Sequence, residues 1–105
     1  MERGEIRWYT FKSPDKKRPV VILTRSSALK FLGEVTIAPI TSTVRKIPTE
    51  VILDQQDGMR TLCAINLDHI QTVSKDKVGA YISKLSDVKL DEIKPALLFA
   101  LGFDH

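Results

Sequence analysis

The stretch Arg18-Pro19-Val20-Val21-Ile22-Leu23-Thr24 decides the fold. From Pro19 onward it is short, unbroken, apolar and rich in β-branched residues, which predicts a strand covered on both faces; a proline is acceptable at its first position. Such a strand is central, so others must flank it. Upstream, the segment from Gly4 to Phe11 sets Ile6 and Trp8 against Arg7 and Tyr9, the period-2 alternation of a half-buried strand with Trp8 on the core side, ended by a loop over Lys12–Lys17. Downstream, a polar stretch at Arg25-Ser26-Ser27 has room for a turn of helix through Leu29 and Phe31, and Gly33 precedes a third strand from Glu34 to Ser42. Pro39 removes a ladder donor from that strand, which predicts an edge or a bulge just before Thr41.

Further out, Thr49–Leu53 and Thr61–Ile65 read as two strands joined through the Asp57-Gly58 turn, a hairpin. Gln71–Ser74 and Tyr81–Leu85 supply two more strand candidates. The last segment changes period: Val88, Ile93, Ala96, Leu97, Ala100 and Leu101 recur mainly at spacings of three and four, one face of a helix. Ser86 or Asp87 suits its N-cap and Gly102 its left-handed end, while Pro95 must either kink the helix or fall in its first turn. Several strands and one closing helix predict a mainly β, α+β domain over residues 1–105, a small curved sheet packed on a C-terminal helix.

The composition, 43% hydrophobic and 28% charged over 105 residues, is that of a soluble globular chain, and no apolar run is long enough to span a bilayer. The charged start Met1-Glu2-Arg3-Gly4-Glu5 leaves no room for an apolar signal core, and the single cysteine, Cys63, reads as a buried strand thiol without a catalytic role; together they point to the cytoplasm. The net charge of +3 is unevenly spread: residues 1–50 hold ten Lys/Arg against five Asp/Glu, and residues 51–105 hold six against eight. A polyanion meets the front half first.

The sequence contains no phosphate-binding glycine loop, no Cys/His pair at metal-ligand spacing and no nucleophile elbow, so neither a metal nor another cofactor is expected. What remains is Arg18 at the mouth of the central strand and Thr41-Ser42 at the end of the third, beside the basic loop. A guanidinium presents rigid donors matched to phosphate oxygens, and a hydroxyl adds one short donor or acceptor. Each alone also reads as an ordinary surface arginine and a strand-end hydroxyl.

Four blocks in order, Arg3-Gly4-Glu5-Ile6-Arg7-Trp8, Arg18-Pro19-Val20-Val21-Ile22-Leu23, Ile37-Ala38-Pro39-Ile40-Thr41-Ser42 and Ile65-Asn66-Leu67-Asp68-His69-Ile70-Gln71-Thr72-Val73, resemble the pattern of the MazF/PemK toxins across nearly the whole chain. That resemblance implies a CcdB-like, SH3-like barrel with a C-terminal helix, a homodimer, cleavage of single-stranded RNA without a metal, and an acidic antitoxin peptide as partner. By position it assigns Arg18 and Thr41 to the scissile phosphate. It adds Lys12, Ser13, Asp15, Lys16, Lys17, Ser42, His69 and Gln71 as RNA-binding candidates, the lysines because cations along a phosphate backbone supply affinity. His69 also qualifies as a proton acceptor, because imidazole changes charge near neutral pH. The chain departs from the family pattern in the short loop before Arg18, which lacks a glutamate found in some relatives, and at Gln71, where many have arginine. Two alternatives stand beside this reading: a CcdB-like gyrase inhibitor acting through Leu101–His105, and a non-catalytic module that only binds RNA or protein.

Overall fold

The computed structural model describes residues 1–12 and 16–104. Seven strands form one curled antiparallel sheet: β1 (Glu5–Phe11), β2 (Lys16–Ile22), β3 (Glu34–Thr41), β4 (Glu50–Leu53), β5 (Cys63–Asn66), β6 (Gln71–Ser74) and β7 (Tyr81–Lys84). The order is β4-β5-β3-β2-β1-β7, with β6 also paired to β3, and the helix α1 (Asp87–Leu101) closes the concave side. The strand rich in β-branched residues is indeed interior, flanked by β1 and β3. It begins earlier than the sequence predicts, because Lys16 and Lys17 pair with Phe11 and Thr10 and so belong to β2 and not to a loop.

The alternation sorts side chains into two apolar layers. Ile6, Val21, Ala38, Ile40, Cys63 and Ile65 face the concave side, where Ile93 and Ala96 of α1 seal them. Val20, Ile22, Val35, Ile37 and Val73 face the convex side under Leu29 from the Ser26–Ala28 turn, so the expected burial of β2 on both faces is met. Phe31 stands outside that turn, 85% exposed.

Pro39 lies neither on an edge nor in a bulge, contrary to expectation. The bond from Leu23 N–H to Thr36 O fixes which β3 residues face β2, and alternation then turns the nitrogen of Pro39 away from β2. On that side β3 pairs with β6 as far as Ile37↔Gln71 and with β5 from Ile40↔Ile65. Pro39 therefore sits where β3 exchanges one partner for the other, and its missing hydrogen falls in the gap between them. By the same alternation the nitrogen of Pro19 faces β3, and the β2–β3 register ends at Val20↔Pro39.

Helix α1 starts where the sequence places it: Ser86 Oγ accepts the Lys89 N–H at 3.3 Å, and Gly102 ends the helix at φ 80°. Pro95 lies well inside the helix and not in its first turn. It is tolerated because Pro95 and Asp91, whose carbonyl it leaves without a helical donor, are both exposed, on the solvent side of the helix. The buried stripe is narrower than the periodicity predicts; Val88 is 68% and Leu101 51% exposed, and the contacts to the sheet come from Leu90, Ile93, Ala96, Leu97 and Ala100.

The sheet's two edge strands meet at one point. The β4–β5 connection turns through Gln55–Asp57, held by Asp54 and Asp57 in a reciprocal cap, and Gly58 follows at φ 88°. Ser83 Oγ of β7 donates to Asp57 O at 2.9 Å, and a Cβ on Gly58 would run into the Ser83 side chain. Gly58→Ala should therefore destabilise the protein by about 1–3 kcal/mol through both the left-handed backbone and the crowded clasp. A urea denaturation midpoint equal to that of the parent protein would contradict this packing.

Candidate functional site

Arg18 and Thr41 lie on one face of neighbouring strands, each two residues past the last β2–β3 pair. Tyr9 pairs with Arg18 across β1 and β2, and continuing the Val20↔Pro39 register by two residues sets Arg18 against Thr41. Tyr9, Arg18 and Thr41 thus form one row on the convex face, and all three are half-buried. Thr41 Oγ1 accepts the Thr43 N–H at 3.1 Å, which uses an acceptor position and leaves the hydroxyl hydrogen available to donate outward. The loop beyond is fixed by Glu50, whose Oε1 accepts the N–H groups of Arg45 at 2.9 Å and Lys46 at 3.1 Å, with Lys46 at φ 56°.

The other sequence-predicted residues divide between the two faces. Lys16, paired with Phe11, and Gln71, paired with Ile37, share the convex face with Arg18 and Thr41, and both are exposed. His69 is exposed on the Leu67–His69 turn, two residues before Gln71 and beside the gap that Pro39 leaves. Asn66 caps that turn by accepting the Asp68 N–H at 3.0 Å, and Thr49 Oγ1 donates to Asp68 Oδ2 at 2.7 Å. Lys12 is exposed at the end of β1, while Ser13 and Asp15 lie outside the described residues. Among the described residues no group of three or more His, Cys, Asp or Glu stands together as a metal site requires.

Lys17 and Ser42 point the opposite way, to the concave side. There Trp8, Pro19, Ile40, Ser42, Cys63 and Ile82, with the segment 58–61, line a cavity of about 430 Å³. The Lys17 ammonium lies 5.0 Å from the centroid of the Trp8 ring. Trp8 is consequently a half-buried cavity wall and not a core residue, although it lies on the side of the sheet that the alternation gives. Arg60 and Thr61, which bring a cation and a hydroxyl to the cavity, carry no sequence signal beyond lying at a polar hairpin tip. Since successive strand residues face opposite sides, Arg18 and Thr41 on the convex face are followed directly by Pro19 and Ser42 in the cavity.

Cys63 closes the floor of this cavity, 5% exposed. Burial pushes its thiol pKa up, and the carboxylates of Asp57 and Asp54 add to the shift. The neutral thiol is the form the fold favours, so its contribution to stability is complete below the ordinary thiol pKa of about 8.5 and is lost as pH rises through the higher folded value. Denaturation midpoints should accordingly fall above about pH 9, and Cys63→Ala should show a shallower alkaline fall. An identical slope in the two proteins would assign the effect to other groups.

Comparison with known proteins supplies relatives along most of the chain. Residues 2–101 match the family model of the PemK-like, MazF-like toxins of type II toxin–antitoxin systems. The chain is 41% identical over 88 residues to Endoribonuclease MazF3 of Mycobacterium tuberculosis, covering 84% of this chain and 82% of that protein. Among solved structures, the Mycobacterium tuberculosis toxin MazF-mt6 superposes with a TM-score of 0.88 at 34% identity, over 96% of this chain and 99% of the toxin. An endoribonuclease solved in complex with its cognate antitoxin, from a mycobacterial species, gives 0.87 at 26% identity, over 97% and 95%.

Proposed function

Because the chain belongs to the PemK-like, MazF-like toxins of type II toxin–antitoxin systems, we propose that it is an endoribonuclease that cleaves single-stranded RNA without a metal, leaving a 2′,3′-cyclic phosphate and a 5′-hydroxyl. The observation that carries this reading is the row formed by Arg18 and Thr41, a permanently charged side chain and a hydroxyl free to donate, both half-buried on one face of neighbouring strands with Lys16 on the same face. In this reaction the RNA 2′-oxygen attacks the adjacent phosphorus, the P–O5′ bond breaks, the 2′ proton passes to a base and the departing 5′-oxygen takes up a proton. Arg18 binds the non-bridging oxygens as charge builds on them, and the Thr41 hydroxyl aligns the phosphate. His69, exposed next to the gap at Pro39, is the side chain in this region that can accept the 2′ proton. Lys12, Lys16 and Lys17 then hold the backbone of the strand, an affinity that weakens as salt rises.

On this reading residues 1–105 act as one catalytic domain in the cytoplasm, as a homodimer held in check by an acidic antitoxin. The charge asymmetry between the two halves of the sequence supports an acidic partner, and a relative has been solved with its cognate antitoxin. No described helix is long and apolar enough to cross a membrane.

Incubation of an unstructured RNA with the purified protein in EDTA, with product ends mapped, should give specific cuts bearing cyclic phosphate and 5′-hydroxyl ends. Arg18→Ala should lower the cleavage rate about a thousandfold or more, and Thr41→Ala by less or by a comparable factor. RNA left intact across a wide range of substrates would overturn the proposal and favour a gyrase-type or binding-only toxin; cutting that persists in Arg18→Ala would remove Arg18 from the chemistry.

A further inference from the structure

We propose that the concave cavity walled by Trp8 is a base-specificity pocket, receiving one nucleobase of an RNA strand whose phosphate lies between Arg18 and Thr41 on the other face of the sheet. The inference rests on the ribonuclease reading and assigns a role to residues outside its chemistry.

The first ground is continuity. β2 and β3 stop pairing at Val20↔Pro39, so Arg18-Pro19, still paired with β1, and Thr41-Ser42, with Thr41 still paired with β5, border a gap in the sheet that forms a lip between the two faces. Arg18 and Thr41 face one side of that lip, and their immediate neighbours Pro19 and Ser42, about 3.8 Å along the chain from Cα to Cα, line the cavity on the other. On this proposal a strand bound by its phosphate at the lip passes around it and places an adjacent base in the cavity.

The second ground is the chemistry of the lining. The Trp8 indole supplies an aromatic surface, and Lys17 lies over its ring at 5.0 Å. Ile40, Met59 and Ile82 add the apolar contacts a base face needs, while Ser42 and Thr61 bring hydroxyls that both donate and accept, as reading a base edge requires. Arg60 and Lys17 put positive charge at the cavity, which suits the phosphates flanking the bound base and not a purely apolar guest. The same pattern of one aromatic wall, hydroxyl groups and cations recurs where single-stranded nucleic acid is bound by stacking.

Trp8 is the sole tryptophan, so its emission reports on the cavity without reference to cleavage. The test titrates the protein with fully 2′-O-methylated hexanucleotides of mixed sequence, which lack the attacking hydroxyl, and separately maps cuts in a randomised RNA pool. Thr61→Phe and Ser42→Phe, at exposed positions, serve to fill the cavity mouth, with thermal melts showing that each has folded. The expected result is saturable quenching of Trp8 in both the parent protein and Arg18→Ala, and binding weakened about tenfold or more in the filled variants. Base preference should also flatten at one position next to the cut. Cleavage with unmoved Trp8 emission and unchanged preference in both filled variants would overturn the pocket and leave the ribonuclease reading intact. Quenching without cleavage of any RNA would keep the pocket and overturn the ribonuclease reading, and neither signal would overturn both. Quenching by an acidic, apolar peptide but by no oligonucleotide would reassign the cavity to a protein partner.

Discussion

Two absent hydrogens govern this sheet. Pro19 and Pro39 sit in the two central strands, and neither nitrogen donates to a ladder. The alternation set by the Leu23–Thr36 bond turns Pro19 toward β3 and Pro39 away from β2, so the two losses fall on opposite sides of β3. One ends the β2–β3 ladder and opens the lip at Arg18 and Thr41. The other ends the β3–β6 ladder, gives β5 its place, and leaves room for the turn that carries His69. A proline in a central strand ordinarily weakens it. Here the weakness is confined to the ends of two ladders, and the surrounding residues Val20, Val21, Ile37 and Ala38, all fully buried, hold the strands together by packing.

The division of side chains between two faces follows from the same strands. One face of β2 and β3 offers a cation and a hydroxyl on an open surface; the other offers a cavity with an aromatic wall. A ligand with alternating charged and aromatic parts can engage both, which a flat surface with the same residues could not arrange. Packing on the concave side leaves the cavity at the end remote from the helix, because α1 seals only the part of that side covered by Ile93, Ala96 and their neighbours.

Much of the architecture was legible because the strongest signals were local. The β-branched run at Pro19–Thr24, the alternation at Ile6–Tyr9, the Asp57-Gly58 turn and the Ser86 and Gly102 caps each specify their own conformation. Pro39 was misplaced because a missing donor does not say which of two partner strands has departed, and only the β5 and β6 registers settle that. Trp8 was assigned to the core because alternation gives a side of the sheet and not the depth of the packing above it. Val88 and Leu101 fall outside the buried stripe because, at about 3.6 residues per turn, Val88 lies on the face opposite Ile93 and Leu101 at the edge of the row Leu90, Ile93, Leu97 and Ala100. At the site, Arg18 and Thr41 were singled out by their block resemblance, whereas their adjacency depends on a register between strands separated by the turn at Ser26–Ala28. Arg60 and Thr61 were invisible, since nothing in a polar hairpin tip announces a cavity formed with residues of the opposite sheet edge.

The clasp between Ser83 and Asp57 joins the two ends of the sheet by a single hydrogen bond where a closed barrel would have a continuous ladder. Trp8 and Ile82 reach the cavity from one side of that seam, and the segment 58–61 with Cys63 from the other. The seam is therefore held by side-chain contacts, whereas the central strands are locked by backbone ladders. The dimensions of the cavity thus depend on a surface turn, so substitutions at the seam can reshape it without any change at Arg18 or Thr41.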